Sequence, residues 1–166
     1  MPDGPPARVV VVWFLITEEA RAASARETGV GLVIFPHMAK KSAGLRVLIV
    51  DDEPLIRWSL AETLKGLGYV VAEAGDGAEA LRSVSRDGEA FDVVLLDYRL
   101  PDSDNLSLLT NIRTLAPASV VIMMTAFGTA EVLSGALALG AYTVIRKPFE
   151  VQDVAALVSQ AYAARH

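Results

Sequence analysis

The chain has 166 residues, 52% of them hydrophobic and 21% charged, enough to bury a full core in one domain with some length to spare. A net charge of −5 argues against direct nucleic-acid binding, which asks for a basic patch. The absence of cysteine excludes disulfides, thiolate metal sites and thiol nucleophiles, and with His37 and His166 as the two histidines, no histidine metal cluster is expected.

In chain order, residues 1–44 form an irregular lead. A turn-rich "MPDGPP" precedes the apolar run Val9–Ile16, a short helical stretch Glu18–Arg26 and "VGLVIFP". The apolar run is far shorter than the roughly 18 residues of a membrane span. Glu18 and Glu19 follow it at once, and Asp3 and Arg8 precede it, which is poor signal-peptide chemistry. Met38 opens an ordinary polar lead into the first strand. Residues 1–44 therefore read as an N-terminal extension, poorly ordered or reflecting a start assigned too early, and residues 45–166 as the folded domain.

From Leu45 the pattern becomes regular. Apolar runs of strand length fall at 45–50, 69–73, 91–96, 119–124 and 141–145, with helical stretches between them. In the first helix Pro54 suits the opening turn. Ile56, Leu60, Leu64 and Leu67 predict one buried face, and Gly66 and Gly68 its end. "GDGAEAL" at 75–81 starts a second helix, with Asp76 as cap. "DSDNLSLLTNIRTL" predicts a third, "GTAEVLSGALALG" a fourth, and residues 150–166 a fifth. Alternating strands and helices imply right-handed crossovers and a parallel, doubly wound α/β sheet.

Ligands of such sheets bind at the carboxyl ends of the strands. The residues leaving the strands here are Asp51 and Asp52, Asp97, Thr125 and Lys147. Two carboxylates about 5 Å apart at an effective dielectric near 20 repel by roughly 3 kcal/mol. A group of three makes sense around a cation, and hard oxygen ligands suit Mg2+. Each residue also has a plain structural reading. Asp51, Asp52 and Glu53 could cap the first helix, Asp97 could be a turn residue, and Thr125 and Lys147 could simply end strands. The joint placement at one sheet edge favours a site.

Five segments, "LIVDDEP", "EAGDGAEAL", "FDVVLLDYRLPDSDNL", "MTAFG" and "GAYTVIRKPF", occur in that order. Together they resemble the response-regulator receiver domain of bacterial two-component signalling over nearly all of residues 45–166. The wording of the last two is closest to receivers of enhancer-binding transcriptional activators. The resemblance implies a flavodoxin-like fold with strand order 2-1-3-4-5 and five helices. It also implies Asp97 as phospho-acceptor from a sensor histidine kinase or histidine phosphotransfer protein. Asp52, Asp97 and the backbone carbonyl of Arg99 would hold Mg2+, with Asp51 acting through water. Lys147 and Thr125 would contact phosphoryl oxygens, and the Lys147–Pro148 peptide would be cis. The protein would be a cytoplasmic single-domain response regulator with no membrane or direct nucleic-acid contact. It would have no enzymatic activity beyond its own phosphorylation and dephosphorylation, and would relay phosphate or switch an unknown downstream protein. The alternative is a degenerate receiver acting only as a protein-interaction module.

Two positions depart from the family pattern. Asn105 stands where a turn glycine is usual, and asparagine tolerates such a turn. Val144 stands where the family carries a switch aromatic. A haloacid-dehalogenase-like phosphatase is the rival enzyme reading, but it needs a second aspartate two residues after its nucleophile. Arg99 follows Asp97 at that spacing, and Glu53 follows Asp51.

Overall fold

The computed structural model describes residues 44–86, 90–103 and 105–164. The expectations for residues 1–37, and for both histidines, lie outside the described residues. Five strands alternate with five helices: β1 (Arg46–Val50), α1 (Pro54–Gly66), β2 (Val70–Ala74), α2 (Gly77–Val84), β3 (Val93–Asp97), α3 (Asn105–Leu115), β4 (Val120–Thr125), α4 (Ala130–Ala138), β5 (Thr143–Arg146) and α5 (Val151–Ala163). All strand pairs are parallel and the order is β2-β1-β3-β4-β5, as expected.

The sheet is covered on both faces. α1 and α5 pack on one face through Leu60, Leu64, Val154 and Val158 against Val47, Ile49, Leu95 and Met124. α2, α3 and α4 cover the other through Ala80, Leu109, Ile112 and Ala136 against Leu48, Val50, Leu96 and Met123. Double coverage explains why β1, β3 and β4 are almost continuously apolar and buried, while the edge strands β2 and β5 are half-exposed.

The end of α1 differs from the sequence expectation. Leu67 is 51% exposed, so it does not extend the buried stripe of Leu60 and Leu64. The helix has already stopped. Gly68 takes φ +85, its N–H donates to the Lys65 carbonyl, and the Tyr69 N–H donates to the Leu64 carbonyl. This is a Schellman closure, and it swings Tyr69 into the core where Leu67 was expected. α4 ends the same way, with Gly140 at φ +92 and the Ala141 N–H reaching the Ala136 carbonyl. At α2 the Asp76 cap is formed, its carboxylate accepting from the Glu79 N–H at 2.7 Å. Asn105 is the first residue of α3.

Candidate phospho-acceptor site

The carboxyl ends of β1, β3, β4 and β5 meet at one cleft of about 250 Å3, lined by Asp52, Glu53, Asp97, Arg99, Thr125, Ala126, Phe127 and Lys147. Asp97 is the last residue of β3 and Thr125 the last of β4, in the two strands that pair side by side. Asp51 follows β1 directly, and Lys147 follows β5, where its N–H donates to the Thr125 carbonyl at 2.8 Å. The Lys147–Pro148 peptide is cis.

Lys147 organises the carboxylates. Its Nζ lies 2.9 Å from Asp51 Oδ2, 3.0 Å from Glu53 Oε1 and 3.3 Å from Asp97 Oδ2. Asp51 is fully buried. Its second oxygen, Oδ1, accepts from the Glu53 N–H at 2.8 Å, so the ion is satisfied on both oxygens. Burial alone would lower the Lys147 pKa, but hydrogen bonds to Asp51 and Glu53 overcome it and hold the ammonium above its ordinary value. The Asp97 pKa is raised as well, but for a carboxyl group that disfavours the charged form. Burial, reinforced by the charge of Asp51, outweighs the attraction of Lys147 and raises its pKa from 3.8 to about 6.

The cluster differs in membership from the sequence reading. One oxygen each from Asp51, Glu53 and Asp97 come within 4.8 Å of one another. Asp52 lies exposed at the rim of the cleft, outside that group. Glu53 is a member that the sequence motif alone does not name; the bend at Asp52, closed by the Glu53 N–H donating to Asp51 Oδ1, brings its carboxylate beside that of Asp51 at Lys147. Glu53 occupies the N-cap position of α1 without making a side-chain cap bond, which removes the capping reading for its carboxylate. Asp97, buried at a strand end, is not a turn aspartate.

The fit to a divalent cation rests on this donor set. A single ammonium stands against three converging carboxylates, with Asp52 at the rim. All are hard oxygen donors of the kind Mg2+ prefers. Thr125 is buried and its Oγ1 accepts from the Phe127 N–H at 2.9 Å. Phe127 forms one wall of the cleft with the Arg99 guanidinium over its ring, 4.0 Å from the centroid.

A family model described as the response regulator receiver domain matches residues 47–159. This chain belongs to that family. Among curated proteins, the receiver is 36% identical over 115 residues to the DNA-binding transcriptional regulator NtrC of Escherichia coli K12, covering 69% of this chain and 24% of that protein. It is 35% identical over 109 residues to the sporulation initiation phosphotransferase F of Bacillus subtilis, covering 66% of this chain and 86% of that protein. The match therefore spans about a quarter of the first relative and most of the second. A CheY-like receiver domain of Methanospirillum hungatei superposes with a TM-score of 0.68 at 31% identity, over 72% of this chain and 94% of that one. CheY in the CheX–CheY–BeF3–Mg complex of Borrelia burgdorferi gives 0.66 at 30%, over 71% and 89%. No helix among the described residues is long and apolar enough to cross a membrane.

Proposed function

We propose that this receiver accepts a phosphoryl group on Asp97 from the phosphohistidine of a histidine kinase or a histidine phosphotransfer protein. A carboxylate oxygen of Asp97 attacks phosphorus, the P–N bond breaks, and its electron pair leaves with the imidazole. The observation that carries this reading is a strand-end carboxylate 3.3 Å from a lysine ammonium, walled by Thr125, in a cleft open to a donor. With a pKa of about 6, the nucleophile is ionised by roughly ten to one at pH 7 and needs no general base.

Lys147 is placed to neutralise an oxygen of the incoming group, and the Thr125 hydroxyl, whose oxygen accepts the Phe127 N–H, is placed to donate its proton to another. Asp51, Asp52, Asp97 and the Arg99 carbonyl are the groups that would hold Mg2+, with Glu53 beside them. A bound divalent cation supplies charge neutralisation for phosphoryl transfer, a reaction governed by positioning and electrostatics. The Borrelia CheY complex contains magnesium by its description, which supports that assignment.

The donor would be a protein of the cytoplasm. An apolar groove of about 270 Å3, lined by Leu55, Ile56, Pro148, Phe149 and Val151, shares Lys147 with the acceptor cleft, so a partner seated there brings its histidine to Asp97. The relatives carry this domain both as a small part of a regulator and as most of a phosphotransferase. The function supported best is therefore phosphorylation-dependent partner switching or phosphate relay, with only the domain's own phosphorylation and dephosphorylation catalysed. A purely adhesive receiver would gain nothing from desolvating two carboxylates, Asp51 and Asp97, around one lysine.

Labelling with acetyl phosphate tests the proposal. Wild type should take up one phosphoryl group only when Mg2+ is present, and Asp97→Asn none. Equal labelling of the variant would refute Asp97 as the acceptor.

A further inference from the structure

Gly128 lies in the β4–α4 loop at a φ outside the left-handed region, so the backbone does not require glycine there. Its neighbour does. A Cβ on residue 128 would stand 2.7 Å from Arg146 Nε, 3.2 Å from its Cγ and 3.3 Å from its Cδ. The Arg146 side chain lies along this bare backbone, and its Nη2 donates to the Gly128 carbonyl at 2.8 Å. The loop so clamped runs directly into the site. Thr125 Oγ1 receives the Phe127 N–H at one end, and at the other the Thr129 hydroxyl accepts from the Val132 N–H to cap α4. Phe127, between them, carries Arg99 on its ring.

Arg146 pairs in register with Thr125 across β4 and β5. By the two-residue period of a strand it shares a face with Val144, one step nearer the cleft. Val144 is partly buried against the α2–α4 core.

We propose that Arg146 is a positioning residue for phosphoryl acceptance. It clamps the β4–α4 loop so that the Thr125 hydroxyl and the Phe127–Arg99 wall stand over Asp97, and it ties that loop to the end of β5. The inference rests on Asp97 being the acceptor. Its own content is that a side chain from β5 holds the β4–α4 loop.

The test compares wild type, Arg146→Ala, Gly128→Ala and the double variant in Mg2+-dependent phosphorylation by acetyl phosphate. Hydrogen exchange of the loop amides is measured in parallel. Each single variant should slow phosphorylation at saturating donor by about three- to tenfold, the scale of one lost ordinary hydrogen bond at an exposed side chain. The half-saturating donor concentration should stay unchanged. The double variant should be no slower than the singles, because both remove the same contact, and Arg146→Lys should recover part of the rate. The Phe127 and Thr129 amides should exchange faster in Arg146→Ala while β4 amides do not. Wild-type rates in the single variants, additive losses in the double variant, or unchanged loop exchange would each overturn the positioning role. A wild type that takes no label would fail the proposed function and this role with it, whereas a labelled wild type with unaffected variants fails this role alone.

Discussion

Asp97 and Lys147 hold opposite positions in the energetics of the site. Burial raises the Asp97 pKa from 3.8 to about 6, so the folded protein binds that proton more tightly than the unfolded chain does. The ionised carboxylate therefore costs stability. The cost is absent below about pH 4, grows through the interval up to about pH 6 and is complete above it, at up to about 3 kcal/mol. Asp97→Asn should accordingly be more stable than wild type by about 1–3 kcal/mol in EDTA at pH 7.5, with the gap closing by pH 4. Urea unfolding at the two pH values measures this, and identical midpoints at pH 7.5 would contradict a desolvation cost at Asp97. Lys147 has its pKa raised, so its contribution is present throughout the neutral range and is lost only when the solution becomes more alkaline than an ordinary lysine tolerates. Lys147→Met leaves the fully buried Asp51 without its ammonium. It should cost about 3 kcal/mol in EDTA, and added Mg2+ should restore more stability to this variant than it adds to wild type. A loss under about 0.5 kcal/mol, the level of an exposed ion pair, would mean that the pair is not a buried one.

The helices are delimited by their ends more than by their propensities. Gly66 and Gly68 stand two residues apart and should respond oppositely to alanine. Gly66 is the last residue of α1, with open space where a Cβ would go, so Gly66→Ala should stabilise by about 0.5 kcal/mol. Gly68 has the same open space but a φ of +85. Gly68→Ala should therefore cost about 1–2 kcal/mol from backbone strain alone. Thermal unfolding of the two variants settles the pair, and a shared sign would refute the Schellman assignment. At α2 three carboxylates divide the work of holding the chain entry. Asp76 caps the helix, Glu79 accepts from the Gly75 N–H, and Asp102 reaches across from the β3–α3 loop to the Gly77 and Ala78 N–H groups at 2.8 and 2.9 Å. Those two amide bonds hold the Asp102 carboxyl below its usual range. The loop that follows Asp97 is thereby pinned to a neighbouring helix.

The whole domain sums these terms. Its double-sided core buries the strands, and the sheet in turn forces four strand ends and their charges to one rim. A cation bound there should stabilise the folded state by mass action, about 1.4 kcal/mol at ten times its dissociation constant. Wild type should show a rise in unfolding midpoint on adding millimolar Mg2+, and Asp97→Asn a smaller one. A wild-type midpoint indifferent to Mg2+ would remove the metal assignment while leaving the fold untouched.

The strand order comes from the family resemblance; parallel pairing and the rim that carries Asp97, Thr125 and Lys147 are legible in the linear sequence itself. The signals for them are local: apolar runs of strand length, helical periods between them, and the first polar residue after each run. Right-handed crossovers then leave few topologies to choose among. Side-chain direction beyond a strand end is not a local signal, because it depends on how the chain turns there. Asp51 and Glu53 meet at Lys147 across the bend at Asp52, while Asp52 itself goes to the rim. The sequence groups Asp51 with Asp52 because both leave the first strand at its end and both match the family's acidic pair. What selected Glu53 was Lys147, 94 positions away, arriving from the far side of the sheet. The same holds for Arg146 meeting Gly128 across β5 and the β4–α4 loop. In each case the partner is chosen by packing between elements, and only the assembled sheet brings those elements within reach.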